Sequence, residues 1–315
     1  RGSGNNALVL SGHTDTVPLD EDLWQTNPFS ITEKDGRWYG LGTCDMKSFF
    51  ALAIEAMRPL LDTDFRQPLI ILATADEEST MSGARNLTAE DFASAKYALI
   101  GEPTGLTPVK QHKGIMMLRA LVTGTSGHSS NPELGRNALD STAALIEEII
   151  QFRNEIGSEH VDDAFDVPCP TINLGCIRGG DNPNRICDHV ELGFDVRVLP
   201  GMSNDEIRLS LTKRLLARLK KADLKCDLNL MHPAVPPFEN EEEELLSLLE
   251  QISRSSAKSV AFATEAPFLK TLGMETVILG PGAIEQAHQP NEFIPLNHID
   301  PSIDIIRRLI AEICC

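Results

Sequence analysis

Five short stretches of the chain carry residue types that could bind a cation or move a proton, and four of them follow a run of apolar residues. Gly12-His13-Thr14-Asp15-Thr16-Val17-Pro18 follows Ala7–Leu10. His13 and Asp15 are two positions apart, so on extended chain they share a face. An isolated histidine is more often structural than a ligand, but an aspartate so close shifts that balance, because a metal-bound imidazole wants a carboxylate partner. Gly40-Leu-Gly-Thr-Cys-Asp45-Met-Lys47 sets glycines before Asp45, a tight turn able to deliver a carboxylate into a crevice. Asp45 could equally cap the helical segment that follows. Asp76-Glu77-Glu78 comes after Leu69–Thr74. Adjacent carboxylates repel and raise one another's pKa. Either the turn is solvated, or a cation draws those values back down. With a cation present, one carboxylate can ligate while its neighbour takes a proton from metal-bound water. Glu102 follows Tyr97–Ile100, and His288 lies in the Gly/Pro-rich stretch after Thr276–Leu279. Nitrogen and oxygen donors without thiolates suit zinc, cobalt or manganese in a hydrolytic site. The usual core of such sites is a carboxylate bridging two ions about 3.5–4 Å apart.

The elements that must position these residues follow from the pattern around them. Ala7–Leu10, Leu69–Thr74, Tyr97–Ile100 and Thr276–Leu279 read as buried strands. Helical patterns at Met46–Leu61, Glu242–Ser253, Ala266–Thr271 and Pro301–Ile313 alternate with them. The acidic run Glu239–Glu244 suits the start of a helix, where negative charge meets the helix dipole. The expected class is α/β, with a mostly parallel mixed sheet flanked by helices. Ligands of such sheets bind at the carboxyl ends of the strands. The middle third differs. Strand Gly114–Gly124, helix Asn137–Phe152, strands Thr171–Ile177 and His189–Leu199, helix Asn204–Lys220 and strand Lys225–Met231 give the order βαββαβ, the ferredoxin-like split pattern. Residues 113–231 therefore read as an inserted α+β domain, hinged near Lys113 and His232. Residues 1–112 and 232–315 form the other domain.

Composition narrows the partners. The formal net charge of -18 is repelled by phosphate backbones and anionic lipids, so neither nucleic acid nor membrane is expected as a partner. Seven cysteines, an odd number with no C-x-x-C spacing, argue against a disulfide framework and for a reducing, cytoplasmic compartment. No apolar run approaches membrane-spanning length and no signal-like segment opens the chain.

Taken together, His13-Thr-Asp-Thr-Val-Pro18, Gly42-Thr-Cys-Asp45-Met-Lys47, Asp76-Glu77-Glu78, Gly101-Glu102-Pro-Thr104 and Ala287-His288-Gln-Pro290 resemble the dinuclear-zinc aminoacylase/carboxypeptidase family of metallopeptidases. The resemblance covers nearly the whole chain, inserted domain included. It implies two divalent metal ions per chain, zinc with cobalt able to substitute. It implies His13 and Glu102 on one ion, Glu78 and His288 on the other, and Asp45 bridging them, followed by a cis peptide. Glu77 resembles the general base acting on a bridging water, and Asp15 the partner that orients His13. His128, in Ser126-Gly-His128-Ser-Ser130, resembles a histidine that in dimeric relatives crosses to the other subunit and polarises the scissile carbonyl. A homodimer through the inserted domain is then expected; an ordinary surface histidine is the alternative. Gly179–Ile186 resembles the family's lid turn. There Asn184 and Arg185 could hold a substrate carboxylate, although Arg185 could equally be a surface ion-pair residue.

Gln111-His-Lys-Gly114, Asn184-Arg-Ile-Cys187 and Thr264-Glu265-Ala-Pro-Phe268 narrow the resemblance to members acting on small acetylated amino acids. Desuccinylases of the family carry an arginine where this chain has Thr264–Phe268. Glu265 is instead expected to meet an ammonium, such as the δ-amine of ornithine. The implied reaction is hydrolysis of N2-acetyl-L-ornithine to acetate and L-ornithine, a step of arginine biosynthesis. The alternatives are a succinyl-diaminopimelate desuccinylase, a broad aminoacylase, or a non-catalytic binding protein on the same fold. Family members usually carry a helix and a strand before the His-Thr-Asp-Thr motif. This chain starts almost at that strand, so a truncated or missing first layer and an exposed sheet edge are expected.

Overall fold

The computed structural model describes residues 2–92, 94–220 and 224–315. The chain divides into two compact units. One comprises Arg1–Gln111, Glu239–Ser259 and Thr264–Cys315; the other comprises His112–Phe238 and Val260–Ala263.

In the first unit, strand Ala7–His13 is buried at every position and runs parallel between Leu69–Thr74 and Ala95–Ile100. Glu275–Ile278 adds parallel to Ala95–Ile100, and Val109–His112 pairs antiparallel beyond it. The sheet is therefore mixed. Helices Lys47–Met57, Glu244–Ser253 and Ile299–Cys314 bring Phe49, Leu52, Leu249, Ile306 and Leu309 into one core with Leu8, Leu10, Leu99 and Val277. Burial on both faces is why these strands read as unbroken apolar runs. Leu69–Thr74 departs from the expectation of a buried strand. It is the last strand in the sheet order, and Ile71 is 38% exposed. Periodicity alone cannot separate an apolar edge strand from a central one. Parallel strands bring their carboxyl ends to one rim. His13 ends its strand, Asp76–Glu78 follow Thr74, Glu102 follows Ile100, and the His288 segment follows Ile278. A separate small sheet of Thr32–Lys34, Arg37–Tyr39 and Phe293–Pro295 left no readable pattern, since three-residue strands are too short to show alternation.

The second unit is built from strand Gly114–Thr123, helix Ala138–Glu159, strands Thr171–Gly179 and His189–Val198, helix Asn204–Leu219 and strand Lys225–Leu230. All its strand pairs are antiparallel. Met116, Leu118, Ala120 and Val122 alternate into a core with Leu145, Ile149, Leu211 and Leu215 of the two helices, as the two-residue period of a strand requires. Asn137 caps the first helix through bonds from Leu139 and Asp140 N–H. That helix continues past residue 152, burying Ile156. The unit also extends beyond residue 231, because Ile115 pairs with Val235, and it takes in Val260, whose carbonyl accepts the Lys113 N–H. Among the described residues, no helix is long and apolar enough to cross a membrane.

Candidate metal centre

His13 is buried, and its two ring nitrogens face different partners. Nδ1 lies 3.1 Å from the Asp15 carbonyl oxygen and 3.5 Å from Asp15 Oδ1. Nε2 lies 2.8 Å from Asp45 Oδ1 and 3.9 Å from Glu102 Oε1. The other oxygen of Asp45, Oδ2, is 3.3 Å from His288 Nε2, which is 2.9 Å from Glu78 Oε2. Asp45 thus has one imidazole and one further carboxylate on each side. It does not serve as the helix cap: Met46 holds that position, and the Asp45–Met46 peptide is cis. His13, Asp45 and Glu78 each offer a ligand atom, and these lie within 4.8 Å of one another. His288 has φ 59 and Asp76 φ 59. Such left-handed backbone is uncommon outside glycine and gathers at functional sites.

The electrostatics of this cluster favour a cation. Burial, with Asp45 and Glu77 close by, pushes the Glu102 carboxyl well above the usual range. Burial pushes Glu77 up to about 8, with Glu78, Glu265 and Asp45 adding to it and His13 opposing. Burial alone would lower His13, yet its hydrogen bond to Asp45 and the fields of Glu102 and Glu77 carry it up to about 11. His288 is raised to about 10 by its bonds to Asp45 and Glu78. Both shifts favour added positive charge beside the crowded carboxylates. A divalent cation would supply that charge and return the rings to the neutral form that ligates. The donor set fits a metal on this ground.

Asp15 does more than orient His13. Its Oδ1 accepts the Glu77 N–H at 3.2 Å and its Oδ2 the Glu78 N–H at 3.1 Å, so one carboxylate fixes the turn that carries both glutamates. Glu265 is also buried. It is 1% exposed; its Oε2 accepts the Thr74 hydroxyl at 2.8 Å, and its Oε1 is buried without a hydrogen bond. Glu265 opens helix Ala266–Thr271, whose Ala266, Pro267 and Leu269 are buried. That draws it to the end of strand Leu69–Thr74. Glu292, which the sequence did not single out, is a buried carboxylate bonded to the Gly42, Cys44 and Asp45 N–H groups. An acid directly before the apolar pair Phe293-Ile294 was the only available signal.

His128, Asn184 and Arg185 belong to the second unit, where the two motifs that carry them meet. His128 and Arg185 form a backbone bridge, and Ser129 N–H donates to the Asn184 carbonyl at 3.0 Å. His128 Nδ1 lies 2.8 Å from Ser130 Oγ. Arg185 pairs with Asp181 at 2.6 Å, the surface ion pair that its sequence position also allowed. All three residues are exposed.

Known proteins share this chain's sequence and fold. A protein of Vibrio parahaemolyticus named acetylornithine deacetylase is 44% identical over 315 residues, covering 100% of this chain and 83% of the relative. Another of that name from Pasteurella multocida is 43% identical over 314 residues, covering 99% of this chain and 82% of its own. A metallo-carboxypeptidase from Sulfolobus solfataricus shares the fold with a TM-score of 0.74 at 18% identity, covering 98% of this chain and 85% of its own. An aminopeptidase from Bacillus cereus does so with a TM-score of 0.75 at 22% identity, covering 98% of this chain and 81% of its own. Residues 9–312 match the pattern described as Peptidase family M20/M25/M40, and the chain belongs to that family of metal-dependent hydrolases.

Proposed function

We propose that this chain is a two-metal amide hydrolase that removes the acetyl group from N2-acetyl-L-ornithine, giving acetate and L-ornithine in arginine biosynthesis. The observation that carries this reading is the arrangement about Asp45, with an imidazole near each of its oxygens. His13 and Glu102 would hold one ion and Glu78 and His288 the other, with Asp45 shared between them; zinc suits these donors, and cobalt could replace it. Such ions would supply Lewis acidity to the amide carbonyl and acidify a water.

The side chains do the rest. Glu77 takes the proton from the attacking water and returns it to the leaving amine. Asp15 holds the His13 ring and the Glu77–Glu78 turn in register. Asn184 and Arg185 bind the substrate carboxylate, the guanidinium matching it with paired bonds. The second unit is assigned as a ferredoxin-like lid and dimerisation domain, from which His128 stabilises the oxyanion across a homodimer. The acetylornithine preference is supported by likeness along nearly all of this chain to proteins bearing that activity in their names. The test is a hydrolysis assay on acetylornithine, N-succinyl-diaminopimelate and neutral acetylated amino acids, each before and after chelation and zinc restoration. Acetylornithine should be turned over with the highest kcat/KM, and only with metal. Preference for the succinylated substrate would move the assignment to a desuccinylase.

A further inference from the structure

The segment that delivers Asp45 is pinned along its length by one side chain. Glu292 Oε2 accepts the Gly42 N–H at 2.8 Å, and Oε1 accepts the Cys44 N–H at 2.7 Å and the Asp45 N–H at 2.9 Å. The Glu292 carbonyl also accepts the Gly40 N–H at 3.1 Å. Gly42 has φ 77, the conformation that turns its N–H toward the same carboxylate as those of Cys44 and Asp45. Glu292 is 3% exposed. Its charge is met by converging backbone amides, an arrangement that suits an anion.

Its position along the chain gives this contact a second consequence. Glu292 lies on the loop that carries His288, so a single side chain ties the segment bearing Asp45 to the segment bearing His288. Fixing the Asp45 N–H fixes where its carboxylate is presented. A carboxylate that must face two ions at once tolerates little error, and the groups that orient ligands tune a metal site nearly as strongly as the ligands do.

Resting on the two-metal reading above, we propose that Glu292 is a positioning residue for the metal centre: it sets Asp45 in its bridging place and holds the His288 loop against it. It touches neither substrate nor ion. Glu292→Gln keeps the shape but leaves one oxygen, so its NH2 group must oppose at least one of the amides. Glu292→Asp keeps both oxygens on a shorter stem.

The test uses the full chain, stripped of metal and titrated with zinc against a competing chelator, with cobalt absorption spectra and steady-state kinetics on acetylornithine. Glu292→Gln should lose about 10–100-fold in metal affinity, shift the cobalt spectrum and lower kcat with KM little changed. Glu292→Asp should fall between it and the wild type. Wild-type zinc affinity and kcat in Glu292→Gln, with only a lower melting temperature for the metal-free protein, would overturn the proposal. Hydrogen exchange on the wild-type, metal-free chain tests it even where a variant does not fold. The Gly42, Cys44 and Asp45 amides should exchange slowly, and exchange at exposed-loop rates would overturn it. A wild-type chain that takes up no divalent ion defeats the two-metal reading and this proposal together. A wild type that binds zinc beside a Glu292→Gln variant that binds it equally well defeats this proposal alone.

Discussion

The two units treat buried charge in opposite ways. In the second, Glu148 is buried against Arg214 at 2.6 Å and Arg218 at 2.9 Å, and Arg214 also binds Glu155, so helix Ala138–Glu159 is laced to helix Asn204–Leu219. The buried Lys113 donates to the Val167 and Cys169 carbonyls at 2.7 and 2.6 Å. Each of these charges meets an opposite charge or a carbonyl dipole. In the first unit, Asp45, Glu102 and Glu265 are buried. The ion pairs of Asp45, Glu78 and Glu102 go to His13 and His288, rings that carry charge only when protonated. Balanced buried charge is a device of packing. Unbalanced buried charge costs stability unless something else answers it, which marks a functional site.

The sharpest way to break this contrast is to remove the proton carrier while leaving the ligands. Glu77→Gln should lower kcat by about 10²–10⁴-fold while zinc titration still shows metal uptake. An unchanged kcat would remove Glu77 from the chemistry.

The next largest effect belongs to the second unit. His112 is buried with its ring on Phe238 at 5.4 Å, and burial lowers its pKa to about 4 from the ordinary 6.5. As pH falls through 6.5 the unfolded chain takes a proton that the folded chain refuses until about 4. The neutral ring's contribution is therefore fully present above pH 6.5 and lost across that window, by about 3 kcal/mol at most. Denaturant unfolding of the metal-free protein at several pH values should show this slope in the second unit, and His112→Gln should flatten it. Zinc acts on the other side of the comparison. At a free concentration 100 times its dissociation constant it should stabilise the first unit by about 2.7 kcal/mol and leave the second unit's transition in place. Hydrogen exchange resolved by unit reads this directly. The smallest expected effect is that of Glu148→Gln, which leaves two arginines short of a partner at a partly screened site. It should destabilise the second unit by about 1–3 kcal/mol and leave zinc affinity unchanged. A change in zinc affinity would mean that the two charge systems are coupled.

Apart from Asp45, which a glycine-rich turn delivers, the clustered residues were readable because each lies at or past the end of a strand of one sheet. His13, Asp15, Glu78, Glu102 and His288 sit just past apolar runs, and parallel pairing carries such positions to a common rim. Glu292 was not readable in the same way. Its partners are backbone N–H groups some 250 positions away, and a backbone amide leaves no trace in residue type. Glu265 was legible as an acid that could meet an ammonium, but its burial at the start of a short buried helix was not. The edge position of Leu69–Thr74 and the pairing of Val235 with Ile115 depend on which strands lie alongside, and a single strand's pattern does not carry that information.

The most direct measurement is acetylornithine hydrolysis by the metal-stripped chain during a titration with zinc, with bound metal counted in the same samples. A centre bridged by Asp45 predicts no activity without metal and a rise that saturates when two ions are bound per chain. Activity that survives stripping, or full activity with a single ion bound, would contradict it.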